Sequence, residues 1–285
     1  MEGQHISVNG QELFVRQLGE GERHLVVVHG GPDWDHTYLL PAASPLADEF
    51  RVTFYDHRGC GRSTRTGDPS SYSLDAAVDD LAVLLNSLHL KSPTLLGFSW
   101  GGRVVLRFVA RYPDQAARII LASTTAYTDF HAALEASHEF QVRQTGIKDE
   151  QDALFSNTNL DDEEVTRRLA ELRLPLNVCN LATVPRARDV IAAVQWSGEW
   201  MRALRAGLLS QVQHPDYAAV LRQAGIPTLI LHGQEELVFP VSVAHRLKEA
   251  YPQAELRELS AAGHLAYLEA GEEWRSTIRT FMRSS

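Results

Sequence analysis

Gly97, Ser99 and Gly101 stand in the spacing G-x-S-x-G inside Thr94 to Arg111, TLLGFSWGGRVVLRFVAR. A serine hydroxyl becomes a useful nucleophile only when a base takes its proton and donors hold the negative charge its attack creates. A sharp strand-to-helix turn serves both needs. It lifts the hydroxyl clear of the sheet and sets it at a helix N-terminus, where unpaired N–H groups favour a developing anion. Side chains two residues either side of such a turn would collide, and glycine fits both places. The segment predicts a strand over Thr94–Gly97, the turn at Ser99 and a helix from Trp100 to about Arg111.

The base needs an imidazole, and there are twelve histidines to choose from. His264, in SAAGHLAYLE, follows the last expected strand, in a loop at the carboxyl edge of the sheet where ligands bind; His89 and His245 fall on helices. A third group must fix the tautomer of that histidine and stabilise its charged form. Glu235 and Glu236, in LHGQEELVFP, both keep the chain order serine, acid, histidine, with Asp129 in reserve. For the oxyanion, HGGP at His29 to Pro32 offers the N–H of Gly31, and the residue after the nucleophile offers that of Trp100.

These groups need a scaffold, and the chain reads as one. HISVNGQELFVRQLGEG alternates around Asn9-Gly10 as two edge strands joined by a tight turn. His24–His29 is an apolar β-branched run, expected to be a central parallel strand. A helical stretch over Leu39–Ala47, a strand over Arg51–Tyr55, a helix over Leu74–Leu88 capped by Ser73, and a strand over Arg118–Ala122 complete an α/β alternation with a parallel sheet. From Thr124 to Tyr217 the pattern turns helical, with Phe130–Thr145, Asp161–Leu172 and Val190–Gly207 as the longest stretches. Strands over Pro227–Leu231 and Ala254–Leu259 then alternate with helices over Val241–Ala250 and Glu269–Met282. The organisation expected is a core from residues 1–123 and 218–285 carrying an inserted helical cap at 124–217. The acidic run Asp161, Asp162, Glu163, Glu164 reads as a helix N-terminus, not as a metal site.

Composition bounds the partners. At 285 residues, 44% hydrophobic and 22% charged, the chain can bury a large core. A formal charge of −9 argues against nucleic acid or an anionic membrane as partner, since both demand a basic footprint. The opening residues MEGQHISVNG lack a signal pattern, and no apolar run approaches membrane-spanning length. Cys60 and Cys179 have no metal spacing and read as buried small hydrophobes, so a reduced, cytoplasmic protein is expected.

Together these motifs resemble the α/β-hydrolase superfamily, and within it the proline iminopeptidase-like branch. The resemblance rests on HGGP, YDHRGCGRS at Tyr55–Ser63, GFSWGG at Gly97–Gly102, HGQEELVFP at His232–Pro240, and the pair Gly263-His264. It implies an eight-stranded, mostly parallel sheet with helices on both faces and a helical lid. It also implies a serine triad that needs no cofactor or metal. The family's G-x-x-D-x-x-x-P pattern puts the acid at Glu236, a glutamate where the pattern has aspartate, and makes Asp56–Ser63 a structural turn. The fifth residue of HGGPG is Asp33 here. Members that remove N-terminal proline hold the substrate ammonium with cap carboxylates near tryptophans. QWSGEW, with Trp196, Glu199 and Trp200, is similar in composition. The expectation is a serine hydrolase of small acyl substrates, an ester or a short peptide, with an iminopeptidase-like aminopeptidase ahead of a carboxylesterase or lactonase. A low-turnover binding homologue is the alternative from another class. Dehalogenase and epoxide-hydrolase chemistry is disfavoured, because it needs a carboxylate where Ser99 stands.

Overall fold

The structure, a computed structural model, describes residues 3–209 and 215–284; residues 210–214 of the expected cap lie outside the described residues. Eight strands form one sheet: β1 (Gln4–Val8), β2 (Gln11–Leu18), β3 (His24–Val28), β4 (Arg51–Tyr55), β5 (Thr94–Phe98), β6 (Arg118–Ala122), β7 (Thr228–Gly233) and β8 (Glu255–Leu259). Their spatial order is β1-β2-β4-β3-β5-β6-β7-β8. β2 runs antiparallel to both β1 and β4, and every other pair is parallel. The Asn9-Gly10 turn joins β1 to β2 with Val8 opposite Gln11, and β3 lies between two parallel neighbours, as its β-branched run predicts.

Successive residues of a strand point to opposite faces, so a strand covered on both sides is apolar throughout. Val26, Val28 and Leu95 pack with the helices Leu74–Ser87 and Trp100–Arg111; Leu25, Val27 and Leu96 pack against Trp274, Ile278 and Phe281 of the helix Gly271–Arg283. Two hydrophobic layers therefore clamp the sheet. They hold the carboxyl ends of β3, β5, β7 and β8, from which the candidate site residues project, in fixed relation.

Between β6 and β7 the chain is helical, but two of the long helices expected there are broken. Phe130–Thr145 is two helices, His131–Glu135 and His138–Thr145, with the Ser137 hydroxyl capping the second through Phe140 N–H at 3.3 Å. Val190–Gly207 is likewise not one helix. Val184–Ile191 ends, residues 192–198 run irregularly, and Glu199–Arg205 begins afresh. Gln195 N–H donates to Asp35 Oδ2 at 3.0 Å and Ser197 N–H to the Asp33 carbonyl at 3.2 Å, so the loop after β3 takes donors that a continuous helix would use. Gly198 packs against the backbone of Asp162 and Glu163, where no Cβ would fit. The stretch Leu39–Ala47, interrupted by Pro41 and Pro45, is three short turns over His36–Asp48. The closing helix begins at Gly271 after a separate turn, Ala266–Glu269. Cys60 is buried as expected, but Cys179 is only half-buried, in the loop before Leu181–Thr183. Among the described residues no helix is long and apolar enough to cross a membrane.

Candidate active site

Ser99 occupies the turn between β5 and the helix Trp100–Arg111 with φ 54° and ψ −123°, backbone angles that a residue with a side chain rarely adopts. Neighbours hold the strain in place. Ser99 N–H donates to the Ala122 carbonyl at 3.0 Å, and its own carbonyl accepts from the Thr124 hydroxyl at 2.6 Å. A Cβ on Gly97 would run into the backbone of Gly101 and Gly102, and one on Gly101 into the carbonyls of Val28 and His29. The two motif glycines are thus what allow the turn to close against β3.

His264 reaches the serine from the loop after β8, its Nε2 lying 3.0 Å from Ser99 Oγ. On the other side of the ring its Nδ1 is hydrogen-bonded to Glu236 Oε1, which also accepts from the Phe239 N–H at 3.1 Å. The two loops are stitched together: Gln234 N–H donates to the Leu259 carbonyl and Glu235 N–H to that of Ala262, each at 3.0 Å. The rings of Phe98 and Phe239, centred 5.3 and 5.7 Å from the imidazole, fix its plane. Burial alone would push the Glu236 carboxyl up. The neighbouring His264 and His232 imidazoles and the Phe239 N–H outweigh it and hold the group below the usual carboxylate range. Of the other two acid candidates, Glu235 is exposed, and Asp129 is exposed and paired with Arg246 at 2.7 Å.

The N–H groups of Gly31 and Trp100 border the same cavity as Ser99, and neither has a hydrogen-bond partner among the described residues. Gly31 has φ 124°, and a Cβ there would press on Trp34, so this close turn calls for glycine. The loop is braced by Gly30 N–H donating to the Tyr38 hydroxyl at 2.8 Å. Asp33, next in that loop, reaches across to the start of the helix Glu199–Arg205. It accepts from Trp200 N–H at 2.9 Å and Met201 N–H at 2.7 Å. Its burial outweighs these bonds and raises the carboxyl to about 7.

The three residues of QWSGEW have separate fates. Trp200 lines the cavity, stacks edge-on to Trp100 at 4.9 Å and donates Nε1–H to the Arg58 carbonyl at 3.0 Å. Trp196 packs behind it on Trp34 at 5.0 Å and is not part of the wall. Glu199 is also outside the wall and buried: its carboxylate accepts from the Tyr72 hydroxyl at 2.6 Å, Gly67 N–H at 2.8 Å and Arg202 Nη1 at 3.0 Å. Arg58 is engaged in structure too, through Asp80 at 2.6 Å and the Ser71 carbonyl at 2.9 Å. Asp35, His36 and Asp56 cluster closely enough to suggest cation ligands, but these groups serve the protein. Asp56 bonds His36 Nδ1 and the Arg62 N–H, and Asp35 caps the turn at Thr37.

The cavity over Ser99 holds about 1050 Å³. Two of its side chains, Arg103 and Arg173, belong to none of the motifs. Their sequence signal is negative: neither has an acidic residue three or four positions away, the spacing at which helical arginines find partners.

A family model described as alpha/beta hydrolase fold matches residues 23–271. The chain is 27% identical to a cis-3-alkyl-4-alkyloxetan-2-one decarboxylase of Shewanella oneidensis, over 97% of this chain and 87% of that protein. It is 25% identical to a proline iminopeptidase of Lactobacillus helveticus, over 96% and 95%. Among solved structures, a thermophilic esterase from Thermogutta terrifontis with malate bound superposes with a TM-score of 0.74 at 27% identity, over 99% of this chain and 98% of that one.

Proposed function

The chain belongs to the alpha/beta hydrolase fold family, and from that premise we propose that Ser99, His264 and Glu236 are a catalytic triad hydrolysing a small ester or lactone. The observation that carries this reading is the continuous chain of contacts from Ser99 Oγ through both ring nitrogens of His264 to Glu236. Ser99 Oγ attacks the acyl carbon while His264 Nε2 takes its proton; Glu236 accepts Nδ1–H and balances the imidazolium. The carbonyl oxygen turns anionic between the N–H groups of Gly31 and Trp100. Collapse of this intermediate breaks the bond to the leaving oxygen, which takes the proton from His264. Water activated by the same imidazole then releases the acid and restores Ser99.

An ester fits the cavity better than a peptide with a free amino terminus. Holding an ammonium group calls for an available carboxylate. Glu199 is engaged by Tyr72, Gly67 and Arg202, and Asp33, the one carboxylate in the wall among the described residues, has both oxygens on backbone N–H groups. The aminopeptidase reading keeps the support of the iminopeptidase relative.

A short-chain nitrophenyl ester, a free prolyl anilide and its N-acetylated twin, assayed side by side with Ser99→Ala as control, separate the two. Ester cleavage without anilide cleavage is the expected result. Release from the free anilide but not the acetylated one would establish the aminopeptidase instead.

A further inference from the structure

Buried arginines are normally satisfied, because a desolvated cation without a partner is costly. Arg58 meets Asp80, and Arg143 meets Glu139 together with the carbonyls of Pro175, Val178 and Cys179. Arg103 and Arg173 differ: Arg103 is half-buried, Arg173 is exposed, and their openness faces the cavity rather than a protein acid. Neither guanidinium has a carboxylate or a hydrogen-bond acceptor among the described residues, and both line the cavity that contains Ser99. Surrounding protein pushes the pKa of each down; beside Arg103 the Tyr217 phenol works weakly the other way, and no carboxylate does. Arg173, exposed and lining the cavity, is open to a ligand there.

The placement relative to the nucleophile is informative. Arg103 lies four residues after Ser99 on the same helix, roughly 6 Å along the axis, and helical side chains lean back toward the N-terminus. Its guanidinium sits over the Phe239 ring, 5.3 Å from the centroid, and that ring packs on His264. Arg173 approaches from the helical segment, at the end of the helix Asp162–Leu172. One cation thus comes from the sheet side of the cavity and the other from the helical segment over it. Asp33, in the same wall, is turned to the N–H groups of Trp200 and Met201 and pairs with neither arginine.

We propose that Arg103 and Arg173 form an anion subsite, and that the preferred substrates are esters or lactones bearing a carboxylate away from the scissile bond. The proposal rests on the hydrolase reading of Ser99 for the reaction, but the subsite stands on the two arginines alone. A guanidinium offers a carboxylate two parallel N–H donors, and in a partly desolvated cavity such bonds strengthen. A neutral ester of equal length leaves both cations unsatisfied, so the discrimination comes as much from rejecting the wrong substrate as from holding the right one.

The test compares mono-4-nitrophenyl glutarate with its methyl-capped twin. In the wild type kcat/KM for the acid is expected to exceed that for the capped ester by about tenfold or more. Arg103→Gln and Arg173→Gln should each bring that ratio toward one, with Arg173→Lys keeping part of it. A wild-type ratio at or below one, or a ratio unmoved in both glutamine variants, overturns the subsite. Turnover that survives Ser99→Ala overturns the hydrolase reading instead. If neither ester is cleaved, calorimetric titration of glutarate decides the subsite: binding lost in the Arg103→Gln/Arg173→Gln double variant upholds it, and absent or unchanged binding overturns it.

Discussion

The Glu199 carboxylate and the Tyr72 hydroxyl are joined by a 2.6 Å hydrogen bond across 127 residues of sequence. The bond ties the helical segment to the loop after β4, and with its carboxylate so engaged Glu199 is expected to hold architecture instead of a substrate amine. Glu199→Gln should therefore lower stability by about 1–3 kcal/mol, the cost of weakening a buried charged acceptor. Urea denaturation measures this. A large rise in KM for a free-amine substrate at unchanged stability would restore Glu199 to the binding site.

Ser99→Ala removes the proposed nucleophile without disturbing its strained turn more than the serine itself does. Ester turnover should fall by about 10³-fold or more. Labelling by a fluorophosphonate probe should vanish with it, and retention of either would show that another residue attacks.

Glu236→Gln keeps the size of the side chain but presents the His264 Nδ1 with an amide that can favour the wrong tautomer. A loss in kcat of about 10² to 10⁴ is expected. Glu236→Asp, shorter by one methylene in a loop held by Gln234 and Glu235, should fall between the two. Asp129→Ala removes an exposed partner of Arg246 and should change kcat by less than about twofold and stability by less than about 1 kcal/mol.

In the pH profile, Glu236 is held below the usual carboxylate range and so stays ionised through the region where an imidazole titrates. The acid limb of log kcat/KM should then fall with a slope of one, because the carboxylate adds no second protonation to that of the general base. A slope approaching two would mean that the carboxylate and the imidazole protonate together.

Asp33 has the opposite shift. Its carboxyl sits at about 7 in the folded chain against 3.8 for the ordinary group, so the native state binds the extra proton between these values. Stability from this group is fully present below about pH 4 and is lost as pH rises through about 7. Melting curves of wild type and Asp33→Asn should show the wild-type advantage shrinking between about pH 4 and 7. A constant difference across that range would mean the carboxyl stays ionised against the Trp200 and Met201 N–H groups.

By itself the sequence determined the sheet and the turn around Ser99, because both are written in local patterns. A buried strand is an apolar run, and Ser99 with its glycines must be contiguous to make the turn. The positions of Gly31, Trp100 and His264 were legible for the same reason, each lying just past a strand end; their roles remain the proposal made above. Residue type and chain order left Glu235, Glu236 and Asp129 open, and only the family resemblance pointed to Glu236; the packing of the loop after β7 against the loop after β8 turns Glu236 inward and leaves the others exposed. The helical segment was least legible. The stretch Val190–Gly207 breaks where Asp33 and Asp35, more than 150 residues earlier, capture backbone donors near Gly198. The same holds for the charges of the cavity. Whether Glu199 meets a ligand or Tyr72, and whether Arg103 and Arg173 meet an acid or open space, depends on distances between residues far apart in the chain. Hydrogen bonding and desolvation act over a few ångströms in space, and only the folded chain sets those distances.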